Sequence, residues 1–75
     1  MKNFTNFKSW EEMLNYVAEG KDIYYHPPLD RFPYKVNIIK KFKNGKLRIK
    51  AEASSFGGFT IDNGHLNRLY YRNSI

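Results

Sequence analysis

Residues 34–53 read YKVNIIKKFKNGKLRIKAEA, two apolar and basic runs joined at Asn44-Gly45. That dipeptide between alternating apolar residues is the strongest short-range signal for a tight β-hairpin. Both central positions of a type I′ turn need positive φ, which glycine adopts freely and asparagine tolerates. A two-residue loop would set Lys43 opposite Lys46, Phe42 opposite Leu47, Lys41 opposite Arg48, Lys40 opposite Ile49 and Ile39 opposite Lys50. Side chains alternate across a strand, so this register gives a core face of Ile38, Phe42, Leu47, Ile49, Ala51 and Ala53. The solvent face then holds Lys41, Lys43, Lys46, Arg48 and Lys50. Lys40 falls on the apolar side and Ile39 on the basic side. A bulge near Ile39-Lys40 would bring Val36 and Ile38 into phase with the core; an edge position would instead let Lys40 snorkel.

Outward from the hairpin on its N-terminal side, residues 27–33 contain all three prolines and read as a rigid loop. Leu29 and Phe32 are expected to plug the core from it, with Asp30-Arg31 as a local charge pair. Before it, Ile23-Tyr24-Tyr25-His26 is a β-prone run stopped by two residues that cannot donate to a ladder. Ser9-Trp10-Glu11-Glu12 matches a capping box, and Trp10, Met13, Leu14 and Val17 fall at i, i+3, i+4 and i+7. Gly20 stands where a left-handed residue ends a helix, so a helix is expected over residues 10–19 with an acidic outer face of Glu11, Glu12 and Glu19. Residues 1–8 fit a lead-in segment or a short strand.

On the C-terminal side, Gly57-Gly58 suggests a bulge or turn, and Phe59-Thr60-Ile61 a strand with Phe59 and Ile61 inward. Asp62-Asn63-Gly64 is a turn or N-cap cluster. His65, Leu66, Leu69 and Tyr70 suit either one helical turn or a turn followed by a short strand from Leu69 to Arg72.

One helix followed by short antiparallel strands predicts an α+β fold. The N-terminal helix packs on a small twisted sheet, and an SH3-like barrel is preferred because curling the sheet buries both ends of the aromatic set. Seventy-five residues make a single domain, 1–75. Without cysteine, its core must rest on six Phe, six Tyr and one Trp. Absence of cysteine suits a reducing compartment, and no apolar run approaches a bilayer span or a signal-peptide core. A cytoplasmic chain with no membrane partner is therefore expected.

The net charge of +6 is uneven. Residues 1–30 hold three Lys against five acids, net −2, and residues 31–75 hold ten Lys and Arg against two acids, net +8. Such asymmetry points to a polyanion or an acidic protein surface as partner. The hairpin cations Lys41, Lys43, Lys46, Arg48 and Lys50 are the candidate contacts, extended by Lys40, Arg68 and Arg72. Lysines on an exposed hairpin also guard against edge-to-edge aggregation. Like charges directly opposite one another cost stability, however, which favours a compensating partner. Lys predominance over Arg suits backbone or acidic-surface attraction rather than bidentate base reading. Tyr24, Tyr34 and Phe56, out of a wider group with Tyr25, Phe32, Tyr70 and Tyr71, are candidate stacking platforms.

Nothing in the sequence nominates an enzyme. There is no cysteine, no nucleophile-base couple, no paired-carboxylate pattern and no phosphate-cradling glycine loop. His26 and His65, with Asp30 and Asp62, fit no metal-ligand spacing and read as surface or capping groups, so no cofactor or metal is expected.

Trp10, Gly20, the basic Asn44-Gly45 hairpin, Phe59-Thr60-Ile61-Asp62 and His65-Leu66 together resemble the layout of small standalone proteins encoded by bacteriophages and mobile elements. The abundance of Lys, Asn, Ile, Phe and Tyr is similar to that of gene products of AT-rich phages. The resemblance implies host takeover or counter-defence by binding, including anti-CRISPR-like inhibition of a host nucleoprotein complex. Two other classes of role are compatible with the residues. One is a nucleotide or small-ligand sponge built from Tyr24, Tyr34, Phe56 and His65; the other is a structural oligomeric phage component with Ile39, Tyr70 and Tyr71 as a self-interface.

Overall fold

The computed structural model describes residues 3–52 and 57–73. In chain order these form β1 (Phe4–Asn6), α1 (Trp10–Ala18), β2 (Ile23–Tyr25), β3 (Tyr34–Lys41), β4 (Leu47–Ala51), β5 (Phe59–Ile61), a 3-10 helix (Asn63–Arg68) and β6 (Leu69–Arg72). The fold is α+β: a six-stranded antiparallel sheet in the order β1-β6-β2-β3-β4-β5, with the helix against one face. β1 and β5 are its free edges, so the sheet is open.

The helix forms where its caps dictate. Ser9 is extended, and its hydroxyl accepts from the Glu12 amide at 3.0 Å. The Glu12 carboxylate reaches one residue beyond the expected partner and takes the Lys8 amide at 2.9 Å. At the other end Gly20 has φ +80°; its amide bonds Val17 O and the Lys21 amide bonds Tyr16 O, the two reversed hydrogen bonds of a Schellman motif. Met13 is buried, and Trp10, Leu14, Tyr16 and Val17 pack on the core. Of these, only Tyr16 lay off the expected apolar stripe.

The hairpin closes differently from the expected type I′ turn. Asn44 does not take positive φ; Gly45 alone does, at +89°. The Gly45 amide bonds Phe42 O, and the Phe42 amide bonds Lys46 O, so the loop is Lys43-Asn44-Gly45: a type I turn followed by a left-handed glycine bulge. Asn44 prefers its own local partner, its side-chain oxygen accepting from the Lys46 amide at 3.0 Å. The extra loop residue shifts the pairing. Lys41 lies opposite Leu47 and Lys40 opposite Arg48, in place of Lys41 with Arg48 and Lys40 with Ile49.

Beyond that point the ladder slips again, between Ile38 and Lys40. Of the two arrangements the mismatched pattern allows, a bulge or an edge position for Lys40, the chain takes the bulge, and it restores Ile38 opposite Ile49 and Val36 opposite Ala51 on the core face. Ile39, the extra residue, is 49% exposed.

Phe7, Met13, Ile23, Tyr25, Val36, Leu47, Ile49, Ile61 and Leu69 form the buried core. Aromatic contacts extend it at two places. Phe7, Tyr16 and Tyr71 meet pairwise with ring centroids 5.1 to 5.3 Å apart. Tyr25 packs against Phe59 at 5.0 Å and Tyr34 at 6.0 Å.

The proline loop departs from its expected role. Leu29 is 97% and Phe32 72% exposed, so neither plugs the core. Pro33 is the buried residue of that loop. His26 donates from Nε2 to Asp30 O at 2.8 Å, and the Asp30 amide bonds Pro27 O, which holds the loop as a turn standing away from the sheet. No ion pair joins Asp30 to Arg31 among the described residues.

The segment left between two alternatives uses both: a 3-10 helix, then a strand. β6 enters the sheet between β1 and β2, and the N-terminal residues that read as lead-in or strand are its edge partner. Asp62 caps the 3-10 helix, its carboxylate accepting from the Gly64 amide at 2.9 Å, while His65 Nδ1 accepts from the Asp62 amide at 3.1 Å. The Gly64 amide, above all, holds the Asp62 carboxyl below its ordinary range, with His65 adding to the effect.

Candidate nucleic-acid interface

Alternation from the observed register gives the outer face of the sheet, opposite the core. On β3 and β4 it carries Lys35, Asn37, Lys40, Arg48 and Lys50. Next to the turn Lys46 continues it, with Phe42 beside Lys40, whose ammonium lies 5.1 Å from the Phe42 ring. The five nominated cations therefore do not share one face. Lys46, Arg48 and Lys50 do. Lys41 pairs with Leu47 on the opposite side and is exposed at its rim, and Lys43 sits in the loop. Lys40, which the two-residue loop would have put on the apolar side, belongs with the basic group. The cause is the single residue added to the turn, which exchanges the faces of residues 40–42 relative to β4.

Arg48 is already engaged within the fold. Its guanidinium donates to two consecutive carbonyls, Gly57 O from Nε at 3.2 Å and Gly58 O from Nη2 at 3.1 Å. That fork fastens the segment leading into β5, where Gly58 has φ +88° and a Cβ would lie 2.1 Å from Ile49 O. Arg48 thus acts first as an internal clamp. Lys35 is also engaged, 3.5 Å from both Asp22 and Glu52, which raise its pKa, Asp22 the more strongly. Lys40, Lys46 and Lys50 remain as the cations of this face that point to solvent without a salt bridge among the described residues.

The stacking candidates separate. Tyr24 lies opposite Tyr70 on the outer face, whereas Tyr34 is on the core side against Tyr25, and burial pushes its hydroxyl pKa up. Phe56, like Ala53, lies outside the described residues. Tyr24 and Tyr34 therefore stand on opposite faces of the sheet. Tyr70 and Tyr71 point to opposite faces, so they form no joint surface with Ile39.

The outer face has a second half, which joins the stacking candidates Tyr24 and Tyr70 to Phe4 and His26, two residues outside that group. Tyr24, Tyr70 and Phe4 occupy adjoining strands, the Phe4 and Tyr24 rings meeting at 5.0 Å and 65°. His26 stands perpendicular to Tyr70 at 6.2 Å. Phe4 was the undetectable member, because a three-residue strand carries no readable period.

Glu11, Glu12, Asn15 and Glu19 face solvent on the helix, around a shallow depression also lined by Ser9 and Tyr16. Among the described residues no group of three or more His, Cys, Asp or Glu is disposed to hold a metal ion, and no helix is long and apolar enough to cross a membrane. In comparisons with known proteins, no family model, no curated protein and no solved structure matches this chain.

Proposed function

We propose that this chain is a small non-enzymatic binding module whose basic outer face docks on a nucleic-acid backbone or, through the same charges, on an acidic surface of a host nucleoprotein complex. The observation that carries this reading is Lys40 directly opposite Arg48, with Lys46 and Lys50 on the same face. No acidic residue occurs between Tyr34 and Ala51 to relieve the repulsion. Crowding like charges across a ladder costs stability, and a polyanion offsets that cost while releasing its own counterions. In the phage-type setting suggested by the sequence, occupying such a surface blocks its normal ligand, an anti-CRISPR-like counter-defence. The finer reading of the sheet as SH3-like goes with this proposal: the order β6-β2-β3-β4-β5 with a 3-10 turn before the last strand supports a barrel-like curl.

The test is the salt dependence of binding to a labelled DNA duplex and a labelled oligothymidylate. Each phosphate contact contributes a slope of about −0.7 to −0.9 in log K against log salt, so neutralising Lys40, Lys46 and Lys50 together should flatten the line by about 2. Arg48→Gln is the wrong variant for this purpose, since it releases the Gly57-Gly58 clamp. A triple variant with the wild-type slope would remove the basic face from the function.

A further inference from the structure

We infer that the aromatic half of the outer face stacks the bases of single-stranded nucleic acid while the β3 and β4 half tracks its phosphates. This rests on the proposed polyanion binding and specifies its substrate class. Phe4, Tyr24 and Tyr70 stand on three adjoining strands on the side of the sheet away from the core, with His26, the residue after β2, against Tyr70. Helix α1 packs on the opposite side, and the four rings are half-buried, Phe4 against Tyr24 and His26 against Tyr70. A small domain with few large apolar groups to spare would place such rings inward if their only role were stability.

Their arrangement is specific. Tyr24 and Tyr70 are directly paired across β2 and β6, and each has a perpendicular or steeply tilted neighbour, Phe4 at 65° and His26 at 88°. Edge-to-face packing of this kind braces one ring against another, and the part of each ring that stays open to solvent is the surface a planar group would meet. Strands are spaced by about 4.8 Å, so rings on neighbouring strands match successive bases of an unstacked strand better than they match a closed duplex, whose base faces are inaccessible. Arg72, opposite Phe4 and exposed, supplies positive charge on the aromatic half. Lys40, Lys46 and Lys50 supply it on the other. Lys35, where the halves meet, is occupied by Asp22 and Glu52 and is not part of the track.

An acidic protein surface calls for the cations and has no requirement for planar stacking partners. Base faces use both, and every base has one, so the inferred ligand is bound with little sequence preference.

The deciding experiment measures fluorescence anisotropy of an end-labelled oligothymidylate of about 12 nucleotides and of its abasic counterpart, which keeps every phosphate and lacks the bases, on the wild-type chain and on Tyr24→Leu, Tyr70→Leu and Tyr24→Phe. Oligothymidylate should bind more tightly than the abasic strand, by about 5- to 100-fold. Each leucine variant should lose most of that advantage without changing the salt slope, and Tyr24→Phe should keep it. Equal binding of the two strands by the wild type overturns the inference and leaves the basic-face reading intact. So does binding of polyglutamate as tightly as oligothymidylate at equal charge. Absence of binding to either strand at low salt overturns both. If a leucine variant fails to fold, the wild-type comparison of thymidylate with abasic strand decides alone.

Discussion

The two faces of the sheet are built from the same alternating strands and obey opposite rules. On the inner face Ile49, Leu47, Ile61 and Leu69 are fully buried, and their contribution to stability comes chiefly from excluding water. On the outer face Lys40 faces Arg48 and Tyr24 faces Tyr70, and beyond the Arg48 clamp and the Lys35 ion pairs the residues add charge and ring surface rather than core. The difference separates two sources of constraint on this sequence: the inner face is accounted for by the fold, and Lys40, Lys46 and Lys50 on the outer face are what the proposed ligand would account for. Substitutions on the two faces should therefore differ in kind, and the following measurements can break that division.

The largest effect belongs to the inner face. Ile49→Ala removes a fully buried side chain at the centre of the core and should destabilise the domain by about 2–5 kcal/mol, enough to abolish or nearly abolish the folded state of a chain this short. Urea titration followed by far-ultraviolet circular dichroism reads it. A loss below 1 kcal/mol would mean the core is not the water-excluding unit described above.

Next comes the seam between the faces. Gly58→Ala combines a positive φ with a Cβ that would meet Ile49 O at 2.1 Å, whereas Gly20→Ala has a positive φ and open space around it. The second should lose about 1 kcal/mol; the first should exceed the roughly 1–3 kcal/mol of a non-glycine residue in that backbone region, because backbone must also move. Similar losses for the two would show that the β4 backbone yields easily at Gly58.

On the outer face the sign reverses. Lys40→Gln removes a like charge opposite Arg48 and should leave thermal stability unchanged or raise it by a few tenths of a kcal/mol, while weakening polyanion binding. Destabilisation by Lys40→Gln would make the lysine a structural residue and remove it from the binding face.

The smallest effect is in acid. The Asp62 carboxyl has a folded-state pKa below its unfolded value, chiefly because it accepts from the Gly64 amide. Its contribution is fully present above the unfolded value near pH 4 and is lost as pH falls through the lower folded one. Asp62→Asn should flatten stability against pH in that window, below pH 4, and leave the neutral region's slope alone; an unchanged acid limb would remove Asp62 from the account.

Local chemistry made much of the fold readable. Ser9, Glu12 and Gly20 placed the helix because caps act within a few residues of themselves. The mismatch at Ile39 and Lys40 announced a bulge, since a strand with one buried face cannot carry an apolar pattern out of phase. The turn was less readable. Asn44-Gly45 serves both a two-residue loop and the end of a three-residue one, and the choice moved Lys40 and Lys41 between faces. Leu29 and Phe32 misled for another reason: apolar character does not bury a residue whose loop is held away from the sheet by prolines and by the His26 bond to Asp30.

By itself, then, the sequence determined an N-terminal helix, an antiparallel hairpin with a bulge, and a concentration of positive charge in residues 31–75, because capping, alternation and charge are properties of neighbours along the chain. Only the tertiary structure decided which cations stand together. It committed Arg48 to the Gly57 and Gly58 carbonyls and Lys35 to Asp22 and Glu52, and it brought Phe4, Tyr24 and Tyr70 onto one surface. Those contacts join residues far apart in the chain, and sheet order, which no local pattern encodes, is what brings them within reach.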